Sequence, residues 1–175
     1  MTAPDSAAVV TCDGHGVDPA AKIRYRSEKL INASLQTVWD LQTDVERWPS
    51  WQAPVTSCER LDQGDLGVGS AFRWSTPVPE TPLTPATLLV IVSTVEQLTP
   101  GRCIRWTGAG TGEGVQIDMG MHVWAFTEVD GGVLVRTEET WVGAQVEADV
   151  PTSTTYLGYS LEAWLTDLKT TAEAR

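Results

Sequence analysis

The stretch VQIDMGMHVWAFTEVDGGVLVRTEETWV, residues 115–142, decides the fold. Asp130-Gly131-Gly132 interrupts two runs rich in β-branched and aromatic residues, the pattern of a β-hairpin. A turn centred on Asp130-Gly131 sets Phe126 opposite Val135, Trp124 opposite Thr137, His122 opposite Glu139 and Gly120 opposite Trp141. Side chains alternate along a strand, so these residues share one face, and Asp118 joins them by the period of two. The alternate face carries Met121, Val123, Ala125, Thr127, Leu134, Arg136, Glu138 and Thr140, a mixture expected on a solvated convex side.

Outward from the hairpin, residues 23–31 suit a first strand, and Asn32-Ala33-Ser34 offers a cap for a helix carrying Leu35, Val38 and Trp39. Asp44 can cap a second short helix that Pro49 stops. Further strands are expected at 55–61, 71–75, 88–98 and 103–107, with four prolines making an irregular crossing within residues 77–85. Pairing 88–98 with 103–107 through the Pro100-Gly101 turn sets Glu96 opposite Arg105 as an exterior ion pair and points Trp106 inward, opposite Val95. The glycines of residues 108–114 are expected to form a flexible loop over a cavity mouth. Residues 155–172 close the chain as a helix with one apolar stripe of Leu157, Leu161, Trp164, Leu165 and Leu168. The order is strand, two short helices, six strands and a long helix, which is α+β with a mostly antiparallel sheet. Residues 1–21, small and broken by Pro and Gly, are expected to be a flexible tail, and residues 22–175 the domain.

Composition limits the function. A net charge of −11 argues against nucleic acid and anionic membrane surfaces. No apolar run is long enough for membrane insertion. Cys12, Cys58 and Cys103 have no metal-type spacing and are expected to be reduced thiols in a cytoplasmic protein. Cys12 and His15 make at most half a metal site, and with two His in the chain a His-rich centre is excluded; no metal and no cofactor are expected. There is no Gly-Xaa-Ser-Xaa-Gly elbow and no phosphate-binding glycine fingerprint between strand and helix.

A sheet of about seven strands curved around one helix leaves a hollow that large side chains or a guest must fill. Strand alternation assigns Phe72, Trp74, Trp106, Trp124, Phe126 and Trp141 to the inner wall, with Asp118, His122 and Glu139 as polar intruders. Eight Trp against two Phe suit either core anchors or a ligand wall. Gly158 in the last helix is expected to remove bulk where the cavity lies.

Several segments together carry a family resemblance. They are Ile31-Asn32-Ala33-Ser34-Leu35-Gln36-Thr37-Val38-Trp39-Asp40, Trp48-Pro49-Ser50-Trp51, Gly67-Val68-Gly69-Ser70-Ala71-Phe72-Arg73-Trp74, Met121-His122-Val123-Trp124-Ala125-Phe126-Thr127-Glu128, the run from Gly131 to Trp141, and Leu165-Thr166-Asp167-Leu168-Lys169. In this order the chain resembles the START-like helix-grip (SRPBCC) superfamily, in its polyketide cyclase/dehydrase and lipid-transport branch. The resemblance implies a cavity between sheet and long helix and a small hydrophobic, polyketide-like partner, but no single reaction. Within it, His122 and Glu139 are the candidate acid/base pair for a cofactor-free cyclisation or dehydration, with Asp118 as a second acid or base at the rim. Two other readings stand beside this one: a buried His satisfied structurally by a Glu, and a carrier or sensor that leaves its ligand unchanged. A monomer or homodimer would serve either.

Overall fold

The computed structural model describes residues 9–175. Seven strands form one antiparallel sheet: β1 (Ile23–Ile31), β2 (Ser57–Arg60), β3 (Ala71–Val78), β4 (Thr87–Thr99), β5 (Cys103–Gly112), β6 (Val115–Val129) and β7 (Gly132–Val142). Their spatial order is β1-β7-β6-β5-β4-β3-β2. The sheet curves around α2 (Val150–Glu173), while α1 (Leu35–Thr43) and a 3-10 turn (Val45–Ser50) follow β1. This is the helix-grip arrangement that the order of elements implied.

Local chemistry fixes the helix ends. The Ser34 hydroxyl accepts from the Thr37 amide at the start of α1. Asp149 accepts from the Thr152 amide, and Pro151 sits in the first turn of α2, so this helix starts five residues before the expected 155. Its stripe of Leu157, Leu161, Trp164, Leu165, Leu168 and Ala172 is buried against the concave face.

The β6–β7 hairpin has the register read from sequence, including His122 opposite Glu139 and Gly120 opposite Trp141. Two bulges change the rest. In β4 the register shifts after Val95, so Gln97 rather than Glu96 opposes Arg105. Arg105 then donates to the Gln97 amide oxygen at 3.0 Å, and Glu96 accepts from Thr107 instead of forming the expected ion pair. Between Gly108–Gly120 and Gly110–Ile117, Asp118 and Met119 of β6 face a single residue of β5. The extra residue inverts the alternation, so Ile117 is buried and Asp118 is exposed. Asp118 therefore leaves the inner face. Residues 108–112, expected as a loop, continue β5.

The convex side of β6 and β7 is not solvated throughout. Residues 9–21, expected to be a flexible tail, lie across it with Val10, Cys12 and Val17 buried against Cys103 and Val123. The remainder of that expected tail, residues 1–8, lies outside the described residues. Cys12 and Cys103 are joined in a disulfide, which corrects the expectation of reduced thiols for these two, while Cys58 is free as expected; the disulfide removes the reason for placing the protein in the cytoplasm. Ninety-one residues separate the two cysteines, so nothing local in the sequence announces the pair. Arg105 donates to the Gly16 carbonyl at 2.8 Å, and Glu138 is buried beneath this strap, held by Arg24 and Arg26 at 3.1 and 3.2 Å.

A cross-link that closes so long a loop constrains the unfolded chain strongly. Cys12→Ser is expected to lower unfolding free energy by about 2–4 kcal/mol, read as a lower urea midpoint, with m rising as the released unfolded chain exposes more surface. Equal midpoints for wild type with and without dithiothreitol would show that the strap contributes no such restraint.

Candidate functional site

One end of the space between sheet and α2 is filled by aromatic rings. Trp48 sits at its centre, with ring centroids 4.9 Å from Trp164, 5.4 Å from Phe72, 5.7 Å from Trp106 and 5.8 Å from Trp74. The edge-to-face geometry of most of these pairs is the one aromatic quadrupoles favour. Gln42 organises the cluster, its carbonyl accepting from the Trp48 indole and its side-chain oxygen from the Trp164 indole, both at 3.0 Å. Phe72, Trp106, Trp124 and Phe126, expected to line a ligand wall, belong to this packed core.

The other end is hollow. A chamber of about 60 Å³ is lined by Glu139, Trp74, Trp141, Gly108, Gly110 and Gly120, among others, and roofed by Leu157, Leu161 and Trp164 of α2. A second chamber, also about 60 Å³, adjoins it under the 77–85 crossing and shares Leu89, Ile117, Trp141 and Tyr156 with it. Of the residues expected to contact a ligand, Trp74 and Trp141 do line the hollow. Gly158 does not. A Cβ there would lie 2.7 Å from the Tyr25 ring, so the missing side chain admits Tyr25, whose hydroxyl donates to Glu162 at 2.9 Å.

Three glycines of β5 and β6, Gly108, Gly110 and Gly120, form part of the floor of this hollow. A Cβ on Gly108 would lie 1.8 Å from the Val92 carbonyl oxygen, which excludes any side chain. A Cβ on Gly110 would press on Ile91 and Leu89, and one on Gly120 would approach Trp141 and Glu139. Glycine weakens a strand interior, so three in adjoining strands were the sequence signal for a floor rather than a loop.

Glu139 and His122 meet as expected. His122 Nδ1 is 3.3 Å from Glu139 Oε2, and the imidazole is fully buried while the carboxyl edges the chamber. The other imidazole nitrogen, Nε2, lies 2.8 Å from the Thr137 hydroxyl. Thr137 has one hydroxyl proton and donates it to the Val123 carbonyl at 3.1 Å. It can only accept from His122, so Nε2 carries the hydrogen and the Nδ1 lone pair points at Glu139. Sequence pairing puts Thr137 on the inner face opposite Trp124 but assigns it no role; the structure makes it the partner that orients His122.

Electrostatics agree with this tautomer. Burial pushes the His122 pKa down to about 3, so the ring stays neutral. Burial pushes the Glu139 carboxyl up to about 7, against the opposing effect of the Trp141 indole, which donates to Oε1 at 2.9 Å. A carboxylate facing a lone pair forms no hydrogen bond, and Nδ1 has no partner unless Glu139 bears the proton. The arrangement is therefore a neutral carboxylic acid poised near pH 7, backed by a neutral imidazole base. Asp118, on the opposite face, is no part of it.

Cys12, Asp13 and Cys103 bring three potential ligand atoms within 4.8 Å of one another on the convex side, but both sulfurs are bonded to each other. No described helix is long and apolar enough to cross a membrane.

The sequence matches the family described as Polyketide cyclase / dehydrase and lipid transport over residues 22–173. No curated protein matches it. Among solved structures, a START superfamily protein from Mycobacterium smegmatis is similar at a TM-score of 0.65 and 14% identity, covering 86% of this chain and 97% of that one. The ginseng major latex-like protein 151 from Panax ginseng gives 0.65 and 12%, covering 85% and 96%. Ara h 8.0201 gives 0.66 and 11%, covering 87% and 98%. At such identities the likeness speaks for the fold.

The Glu139 carboxyl makes a pH-dependent contribution to stability. Its folded pKa lies above the ordinary 4.5, so the contribution is complete below pH 4.5 and is lost as pH rises to about 7. Glu139→Gln, which cannot ionise, is expected to gain on wild type by on the order of 3 kcal/mol between pH 4.5 and 7.5, at roughly 1.4 kcal/mol per pH unit. Urea denaturation at both pH values measures this, and a constant difference would mean that Glu139 is ionised throughout.

Proposed function

We propose that this chain, which belongs to the polyketide cyclase/dehydrase and lipid-transport family, binds a small hydrophobic molecule between sheet and α2 and moves a proton on it through Glu139. The observation that carries the proposal is a carboxyl with a pKa near neutrality edging an otherwise largely apolar chamber. A group of this kind can give a proton to a departing hydroxyl or take one from a carbon beside a carbonyl, the steps of dehydration and of cyclisation through an enolate. His122 stands behind Glu139 as a positioning residue, and its Nδ1 lone pair receives the acid proton's hydrogen bond between steps. No metal or nucleotide enters this scheme.

Size decides how a guest would sit. A cavity that holds benzene is roughly 150 Å³, so a ring needs more than either chamber of about 60 Å³ alone. Tyr156 stands between the two, its hydroxyl held to the Pro77 carbonyl by one hydrogen bond of 2.9 Å. Displacing that ring joins the chambers and opens them beneath the 77–85 crossing.

The carrier reading makes no use of the buried dyad, which is why conversion is preferred to transport. Native mass spectrometry of freshly purified protein, followed by NMR of the released guest, separates them. Wild type is expected to release a compound isomerised, or lighter by one water, relative to that held by Glu139→Gln. The variant should convert it at least about a hundredfold more slowly. The same unaltered compound from both proteins would make this a carrier.

A further inference from the structure

Gln52 lies in the turn between the 3-10 segment and β2, with its backbone fixed at both ends: its amide donates to the Trp48 carbonyl at 2.8 Å, and its carbonyl accepts from Val55 at 3.1 Å. The side chain lines the chamber that Glu139 edges, and the residue is 1% exposed. Its amide oxygen Oε1 has no hydrogen-bond partner among the described residues. A buried acceptor without a partner is unfavourable and uncommon in folded proteins. Two hydroxyls of the lining are committed elsewhere: Ser160 donates to the Tyr156 carbonyl and Tyr156 to that of Pro77, and no hydrogen bond joins Gln52 Oε1 to the third, that of Thr76.

We propose that Gln52 is the polar anchor of the ligand, and that the ligand is a flat, largely apolar ring compound carrying a hydroxyl. This rests on the hydrophobic-ligand reading above and names the class of molecule for the same site. The hydroxyl donates to Oε1, and because it also accepts, it fits the primary amide in either orientation of its oxygen and nitrogen. The ring packs against the side-chain-free floor of Gly108, Gly110 and Gly120, with the flat indoles of Trp74 and Trp141 among the walls. A site that holds a polar group in wait for one hydroxyl discriminates more sharply against its absence than an apolar wall discriminates by size.

The probes are 1-naphthol and 1-methylnaphthalene, which differ in a hydroxyl against a methyl, titrated calorimetrically into the full-length protein and into Gln52→Met. Wild type is expected to bind the naphthol about tenfold more tightly, and Gln52→Met to bind both alike, with its methylnaphthalene affinity preserved as proof of an intact site. Equal affinities in wild type, or a naphthol preference that survives in Gln52→Met, would overturn the anchor while leaving a hydrophobic site in place. Binding of neither probe by wild type would overturn the anchor together with the reading on which it rests.

Discussion

A single hydroxyl proton organises this site. Thr137 gives it to the Val123 carbonyl and so has only lone pairs left for His122. That direction fixes the imidazole tautomer, and the tautomer determines that a lone pair rather than a hydrogen faces Glu139. Had Thr137 donated the other way, the imidazole would present Nδ1–H and a hydrogen-bond donor would face Glu139. A backbone carbonyl in the neighbouring strand thus sets which imidazole nitrogen faces Glu139, while burial keeps the carboxyl poised near neutrality.

The same sheet supplies both a solid end and an empty one. Where β3, β5 and β6 carry Phe72, Trp106 and Trp124, rings from α2 and the 3-10 segment meet them and leave no room. Where β5 and β6 carry glycine, the sheet has no side chains to meet the helix, and the hollow opens beside Glu139. The boundary runs through Trp74 and Trp164, which touch both the aromatic core and the chamber wall. Rigidity behind the dyad and space in front of it are a reasonable pairing for proton transfer, since the acid is held in place while its partner can be exchanged.

How much of this was legible in the sequence depended on how local each determinant was. The β6–β7 register could be read because Asp130-Gly131-Gly132 fixed the turn and alternation did the rest, so His122 and Glu139 were correctly paired. Asp118 was misplaced because a bulge inserts one residue without any marker beyond the neighbouring glycines, and every side chain past it changes face. The glycines of residues 108–114 suggest a loop in sequence because mid-strand glycine is rare, yet three of the glycines in β5 and β6 form part of the chamber floor. Cys12 with Cys103, and the burial of Glu138 beneath residues 9–21, depend on contacts across some ninety residues or more and leave no periodic trace. Gln52 could not have been singled out, because its meaning lies in the partner it lacks.

The most direct test is nitrogen-15 NMR of the His122 ring, recorded from pH 5 to pH 8 alongside the carboxyl carbon of Glu139. A neutral ring protonated at Nε2 throughout, with the Glu139 carbon titrating near pH 7, is the result expected from the geometry. An imidazolium in that range, or a ring protonated at Nδ1 beside a carboxylate ionised from pH 5 upward, would contradict it.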